Sequence, residues 1–168
     1  MKKIYLLISY PLFLLSIFSG CSNGRQGTAA ANELKSDQAE IPRYFNLRPK
    51  LEKEYGYSHA VMIGRHLKIS GAVSMTDAGI IIGPGNMGIQ VKNCYSDLAK
   101  ILKHYGCTYD DVVAENIYTT NMTDFMKVSG FRNSIYQKQF PTGTWLEVKG
   151  LALPGQVIEI DMEAYTKQ

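Results

Sequence analysis

The strongest constraint on the fold is an amphipathic segment in the middle of the chain. Apolar side chains recur there at spacings of three and four, with charged residues between them. These apolar positions are Val91, Cys94, Tyr95, Leu98, Ile101, Leu102 and Tyr105. The spacing is that of an α-helix with one buried face, and Gly106 is typical of the position just beyond a helix end. The sequence therefore predicts a helix that packs on a second layer of structure.

Short runs of β-forming residues lie on both sides of this helix. Residues 61–71 alternate around Gly64 and Arg65, which predicts a β-hairpin with these two residues at its tip. Residues 74–88 are glycine-rich and are interpreted as a connection. The β-branched content of residues 111–119 predicts a third strand.

A second helix and two closing strands complete the pattern. Asn121 or Thr123 is expected to cap the helix, and Pro141 to mark its end. Its expected apolar stripe comprises Phe125, Val128, Phe131, Ile135 and Phe140. Strands are then predicted at 143–149 and 156–164. The resulting order, β-β-α-β-α-β-β, predicts an α+β domain with both helices on one face of the sheet.

The beginning of the chain has the layout of a secretory signal. Lys2 and Lys3 precede an apolar stretch over residues 4–18, which ends in small residues. The stretch is shorter than the roughly 20 residues that a membrane-spanning helix needs. We therefore predict that residues 1–20 form a signal peptide.

Cys21 directly follows two small residues, and this arrangement resembles the bacterial lipobox, in which the cysteine becomes the lipidated first residue of the mature chain. Phe18 stands where leucine is usual, and the alternative is an ordinary signal peptide followed by an unrelated cysteine. Residues 21–41 are predicted to be the lipidated cysteine and a flexible tether, because the segment is polar and lacks apolar periodicity. The folded domain is then 42–168. The expected location is the bacterial cell envelope, with a lipid anchor in a membrane and the domain on its periplasmic or cell-surface side.

The charge of the chain argues against nucleic-acid binding. The formal net charge is +3, and removal of residues 1–20 lowers the basic residues from 18 to 16 against 15 acidic ones, leaving +1. A domain so close to neutral has no general electrostatic attraction for a phosphate backbone. The content of 45% hydrophobic and 20% charged residues is that of a globular domain with one core.

Neither a disulfide nor a metal site is predicted. Cys94 and Cys107 are thirteen residues apart, about 20 Å along a helix, whereas a disulfide needs Cα atoms within about 7 Å. Cys94 lies on the apolar stripe and is expected in the core. His59, His66 and His104 are scattered along the chain, without the spacing of a zinc site. No cofactor is expected.

Short motifs along the domain carry a family resemblance. In chain order they are Tyr57-Ser58, Ser70-Gly71, Gln90, Asp111–Val113, Thr120–Phe125, Phe140-Pro141, Glu147-Val148 and Val157–Asp161. Through these motifs, residues 43–166 resemble the RidA (YjgF-like) family of reactive-intermediate deaminases. The resemblance implies a chorismate-mutase-like fold and a homotrimer with three clefts between subunits.

The resemblance also implies roles for individual residues. Active members of that family hydrolyse imines and enamines derived from amino acids, releasing ammonia and a 2-oxo acid. An arginine holds the substrate carboxylate, a glutamate activates water and a tyrosine closes the pocket. By position, the tyrosine corresponds to Tyr57 and the glutamate to Glu159. The alternatives are a half-buried strand aromatic for Tyr57 and a solvent-facing acid at a subunit edge for Glu159.

The position of the family's arginine is occupied by Gly143. A backbone N–H cannot replace the two parallel hydrogen bonds that a guanidinium makes to a carboxylate. By the two-residue period of a strand, Gly143 shares a face with Trp145 and Glu147, and Trp145 stands where the family usually has a small residue. We predict that Gly143, Thr144, Trp145 and Tyr57 line the ligand cleft.

Two functions follow from these observations. The first is a trimer whose clefts bind a small, less acidic or aromatic ligand without imine deaminase activity. The alternative is a deaminase of the 2-iminobutanoate/2-iminopropanoate type with an altered substrate, in which Glu159 activates water. Arg65 is expected at the hairpin tip and Arg132 on the second helix, so neither is expected to replace the missing arginine. A ribonuclease is not favoured, because the mature chain is nearly neutral and is predicted to be exported.

Overall fold

The computed structural model describes residues 40–167. The predicted signal peptide, Cys21 and most of the predicted tether lie outside the described residues. Within the described part, no helix combines the length and apolar character that a membrane crossing requires.

The described residues form six β-strands and three α-helices. They are β1 (Arg43–Phe45), α1 (Pro49–Tyr55), β2 (Ala60–Ile63), β3 (His66–Val73), α2 (Met87–His104), β4 (Val112–Thr119), α3 (Met122–Ile135), β5 (Thr142–Glu147) and β6 (Ile158–Tyr165). A 3₁₀ turn at Tyr109–Asp111 precedes β4. The seven predicted elements are present in the predicted order, and the bounds of the two closing strands shift by one or two residues.

Two elements, β1 and α1, were not predicted. The first is only three residues long, too short to show an alternating pattern. The second buries a glutamate, Glu52, so it lacks the apolar stripe that reveals a helix in a sequence. Its ends carry other signals, since Pro49 lies in the first turn and Gly56 follows the last turn in the left-handed conformation.

The strands form one mixed sheet in the order β1-β2-β3-β6-β4-β5. Neighbouring strands are antiparallel except β4 and β5, which run parallel and are connected through α3. The predicted hairpin is confirmed as β2 and β3, with Gly64 at its tip. The last strand of the chain, β6, lies between β3 and β4 near the centre of the sheet.

The hydrophobic core lies between one face of the sheet and the helices. From β6 it receives Ile158, Ile160, Met162 and Ala164, all fully buried. From α2 it receives the predicted residues Val91, Cys94, Tyr95, Leu98, Ile101 and Leu102, with Tyr105 packed against them. The helix prediction is therefore confirmed. Cys94 is buried in the core, as predicted, and Cys107 is buried as well; both are free thiols.

The second predicted helix, α3, begins where expected but ends earlier. The Asn121 side chain accepts a backbone hydrogen bond from the first turn at 2.9 Å, which confirms one of the two predicted caps. The prediction that the helix runs to Pro141 was wrong, and Phe140 lies outside it. Tyr136 leaves the helical conformation and donates a hydrogen bond from its hydroxyl to Glu115 in β4. The helix therefore ends well before the proline, at the residue whose hydroxyl group bonds to the sheet.

The opposite face of the sheet is not covered by α2 or α3. Residues that alternate with the buried positions of β6 point to this open face: Glu159, Asp161 and Glu163. Glu163 is paired there with Lys68 at 3.1 Å and His66 at 2.9 Å, and Asp161 accepts a hydrogen bond from Asn116 at 2.9 Å. Glu159 has no such partner among the described residues.

Candidate ligand-binding site

Tyr57 and Glu159, the two residues predicted to be catalytic, line the same cavity of about 420 Å³. It lies beside the open face of the sheet, where β3 meets β6. Its polar and aromatic lining comprises Tyr55, Tyr57, Ser70, Gln156 and Glu159. The cavity contains no lysine, arginine or histidine among the described residues that line it.

The rest of the lining is apolar. It is formed by Val73 and Met75 at the end of β3 and beyond, by Ala152 and Leu153 in the loop before β6, and by Gly71. A cavity with mainly apolar walls and few polar groups is the usual form of a small-molecule site. The lining residues outside Tyr57 and Glu159 were not predicted, because they converge from separate loops and a short segment before β2.

The position of Glu159 depends on a glycine in the neighbouring strand. The register of β3 against β6 shifts between Ile69 and Ala72, which places Gly71 beside the Glu159 side chain. A Cβ atom at position 71 would lie 1.9 Å from Oε1 of Glu159. The absence of a side chain at Gly71 therefore makes room for the carboxylate. This explains physically why a glycine follows Ser70 here.

The carboxyl group of Glu159 is poorly solvated. Partial burial raises its pKa above the ordinary glutamate value, and the nearby Asp161 carboxylate raises it further. No hydrogen bond from another described residue offsets these two effects. The group is thus an unpaired acid that faces a cavity.

Tyr57 is held beside a buried polar cluster. Its backbone N–H donates to the carbonyl of Glu52 at 3.0 Å, and its ring centroid lies 5.9 Å from that of His59. Burial raises the pKa of the Tyr57 hydroxyl, and the negative charge of Glu52 adds to this effect. At neutral pH Tyr57 is therefore a neutral hydrogen-bonding group.

The cluster behind Tyr57 was not predicted. Glu52 is fully buried and its Oε1 lies 2.7 Å from Nδ1 of His59, while the same oxygen accepts the backbone N–H of Arg48 at 2.7 Å. Burial lowers the pKa of His59, opposed by the hydrogen bond to Glu52. The Arg48 side chain points elsewhere, to Asp97 and to the carbonyl of Met75. This arginine is close to the cavity in the fold but does not line it.

The other predicted ligand-binding residues, Gly143, Thr144 and Trp145, lie on β5 and do not line this cavity. The sheet order places β5 two strands away from β6, at the edge. Within one chain, the structure therefore does not bring these three residues together with Tyr57 and Glu159. Their contribution across a subunit boundary stays a prediction.

Trp145 packs on the helix-covered face of the sheet. Its ring meets that of Phe125 in α3 edge to face, with centroids 5.0 Å apart, and the Arg132 guanidinium lies 5.6 Å from its centroid. Glu147, two residues on, accepts the backbone N–H of Met122 at the start of α3. The predicted shared face is thus confirmed, and the indole rests against α3.

The two arginines that were excluded as substitutes are occupied elsewhere. Arg132 is buried and pairs with Glu115 at 2.7 Å, and Glu115 also accepts hydrogen bonds from Tyr95 and Tyr136. Arg65 lies at the hairpin tip and donates to the carbonyl of Thr166. Among residues 40–167, no three His, Cys, Asp or Glu side chains are grouped so as to hold a metal ion.

Comparison with known protein sequences finds a matching family model and several named relatives. A family model described as Endoribonuclease L-PSP matches residues 48–166. A protein of Bos taurus named 2-iminobutanoate/2-iminopropanoate deaminase is 30% identical over 101 residues, which cover 60% of this chain and 74% of the bovine protein. The human protein of the same name is 29% identical over 109 residues, covering 64% of this chain and 78% of its own length.

Solved structures show the same fold. A YjgF-family member from Mycobacterium tuberculosis superposes with a TM-score of 0.65 at 25% identity, covering 75% of this chain and 100% of that one. RidA from the Antarctic bacterium Psychrobacter superposes with a TM-score of 0.60 at 24% identity, covering 66% of this chain and 88% of its own. The predicted fold class is confirmed.

Proposed function

Since this chain belongs to the Endoribonuclease L-PSP family, which includes the RidA and YjgF proteins, we propose that it binds a small molecule between the subunits of a homotrimer. We further propose that it lacks the usual imine deaminase activity. The observation that carries this proposal is the composition of the cavity. It keeps a tyrosine and a glutamate at Tyr57 and Glu159, but none of its described lining residues is a cation. An amino-acid-derived imine would leave its carboxylate there without a partner.

The open face of the sheet supports the trimeric arrangement. Large apolar side chains are exposed on it at Tyr44, Ile63 and Leu146. A sheet covered by helices on one side buries its other side efficiently against another sheet. Light scattering on residues 42–168 should give three times the mass of one chain. The mass of a single chain would contradict the proposed binding between subunits.

The alternative function, imine hydrolysis, is favoured by the names of the relatives and by the state of Glu159. A carboxyl group with a raised pKa in a cavity is suited to general acid–base work. It would accept a proton from water as the water oxygen bonds to the imine carbon. Glu159 would pass that proton to the nitrogen, giving a carbinolamine. The hydroxyl proton of the carbinolamine is then transferred through Glu159 to the amino group, the C–N bond breaks as the C=O bond forms, and ammonia and a 2-oxo acid are released.

An assay of ammonia release separates the two functions. The substrate is 2-iminopropanoate generated in the cuvette by an amino-acid oxidase. The proteins are the natural chain, Gly143→Arg and, as a matched glycine-to-arginine control, Gly130→Arg at an exposed position of α3 where a Cβ would meet nothing within 4 Å. We expect no acceleration by the natural chain or the control, and a gain in the Gly143→Arg variant. A Cβ at position 143 lies 3.0 Å from the carbonyl oxygen of Glu115, so the edge strand must shift slightly to accept it. Robust ammonia release by the natural chain would establish the deaminase instead.

We also propose that the protein is anchored in the bacterial cell envelope through a lipid on Cys21. The support is the sequence layout of residues 1–21. Multiple acyl chains on one cysteine give stable membrane attachment, where a single chain gives only reversible binding. Membrane fractionation of cells that express Cys21→Ser should show a shift to the soluble fraction, whereas Asn23→Ala should remain with the membrane. Unchanged fractionation of Cys21→Ser would exclude the lipid anchor.

A further inference from the structure

The charge of the cavity distinguishes between classes of ligand. Glu159 is the one charged side chain among the described residues that line it, and its carboxyl group has no described hydrogen-bond donor. Asp161 follows two residues later on the same face and adds negative charge nearby. An unpaired, partly buried carboxylate is costly, and a positive group is the partner that removes this cost.

Three cationic side chains near the cavity are already paired with acidic residues. Lys68, which lines a neighbouring pocket together with Tyr57 and Ser70, pairs with Glu163 at 3.1 Å. Arg48 donates to Asp97 and to the carbonyl of Met75, and its side chain is only 6% exposed. Lys100 lies on the far side of Asp97, with which it also pairs at 2.8 Å. Releasing Arg48 toward the cavity would leave the buried Asp97 carboxylate short of its arginine partner. The chain therefore supplies no counter-ion to Glu159 from this side.

The remaining lining residues of the cavity are chemically suited to an amine ligand with an apolar body. The rings of Tyr55 and Tyr57 can attract a positive group through their faces, as aromatic residues do around alkylammonium ligands. Val73, Met75 and Leu153 provide an apolar surface next to them. A cavity of about 420 Å³ falls within the range of ordinary small-molecule sites.

We propose that the ligand of this cavity is a cationic amine with a compact apolar body, and that Glu159 binds its ammonium group. The inference rests on the small-molecule function proposed above and specifies its ligand class. It also assigns a purpose to Gly71, since the missing side chain lets the carboxylate reach its position in the cavity. The ligand class is opposite in charge to an imino acid, whose carboxylate would meet Glu159 and no cation.

Three probes of similar size that carry the same phenyl ring test the inference by calorimetry on the natural protein. They are 2-phenylethylamine, which is cationic at pH 7, the neutral 2-phenylethanol and the anionic phenylacetate. We expect the amine to bind at least tenfold more tightly than the alcohol, and the anion to bind weakest. If phenylacetate binds as well as the amine, this inference is wrong while the small-molecule function stands. If none of the three binds, both are contradicted.

Single substitutions test whether the Glu159 carboxylate is the charge that binds the amine. Glu159→Gln keeps the size of the side chain and should weaken amine binding about tenfold, as expected for loss of a charge-assisted hydrogen bond, and should leave the alcohol unaffected. Gly71→Ala retains the charge but displaces the carboxylate, and should also weaken amine binding selectively. Glu163→Gln is the matched control, because it removes a charge from the same strand and face where Lys68 already pairs with it. Equal losses in Glu163→Gln and Glu159→Gln would show only a general charge effect and overturn the assignment.

Discussion

At the scale of single residues, the cavity depends on the pair Gly71 and Glu159. The sequence alone predicted that Glu159 belongs to a site, through its position in a family resemblance. It did not reveal that Gly71 provides the space for it, since the contact arises from an irregular register between two strands that are distant in sequence. The resemblance also singled out Tyr57, which lines the same cavity as Glu159 in the structure.

Glu159 should reduce stability at neutral pH. Its pKa is raised in the folded protein, so the protonated form is favoured there relative to the unfolded chain. Stability is therefore full below the unfolded-state pKa and falls as the pH rises through the folded-state pKa. Glu159→Gln should raise the free energy of unfolding at pH 7.5, by less than about 1 kcal/mol because the side chain is partly exposed. Denaturant unfolding should show this gain shrinking at pH 4, and a gain of equal size at both pH values would contradict the pKa argument.

The contribution of His59 to stability should depend on pH in the opposite direction. Its pKa is lowered in the folded protein, mainly by burial, so the neutral form is favoured. Stability is then full above the unfolded-state pKa of about 6.5 and falls as the pH is lowered through that value. His59→Gln should flatten the change in unfolding midpoint between pH 7.5 and 5.5. The exposed His104 is the control position, and an equal flattening in His104→Gln would assign the effect to general charge instead.

At the scale of elements, α3 is attached to the sheet by polar contacts as well as by its apolar face. Arg132 reaches Glu115 in β4, where two tyrosine hydroxyls also converge. The periodicity of the sequence predicted α3 but not its early end, because this network depends on residues in three different elements. The helical period shows which face of the helix is apolar. It contains no information about where the helix ends.

Breaking the ion pair between Arg132 and Glu115 should lower the free energy of unfolding. Arg132→Met leaves the fully buried Glu115 carboxylate without its cation, and we expect a loss of about 3 kcal/mol in the free energy of unfolding. Arg65→Met at the exposed hairpin tip should change stability by no more than about 0.5 kcal/mol. Unfolding curves of both variants at equal protein concentration give the comparison. A loss in Arg132→Met no larger than the control would show that the ion pair contributes little.

At the scale of the whole molecule, the sequence predicted the layered α+β architecture and most of the element order. Strand alternation and helical periodicity are properties of each segment by itself. They can therefore be recognised in the sequence without knowing which segments pack against one another. The cavity could be predicted only in part. Its walls come from α1, β3 and the loop before β6, and α1 has a buried polar face without a hydrophobic period. Trp145 shows the same limit, since strand alternation fixed its face but not which layer covers that face.

The position of β6 has a consequence for the timing of folding. This strand is made after the other five described strands, yet it joins β3 to β4, and without it the sheet separates into two parts. The nascent chain therefore cannot complete its core until β6 has emerged. A chain cut after Gly150 should remain protease-sensitive while one cut after Tyr165 folds, which limited proteolysis would show. Until β6 has emerged from the ribosome, the sheet lacks the strand that joins its two parts, and an incompletely folded polypeptide can still be threaded through a narrow pore.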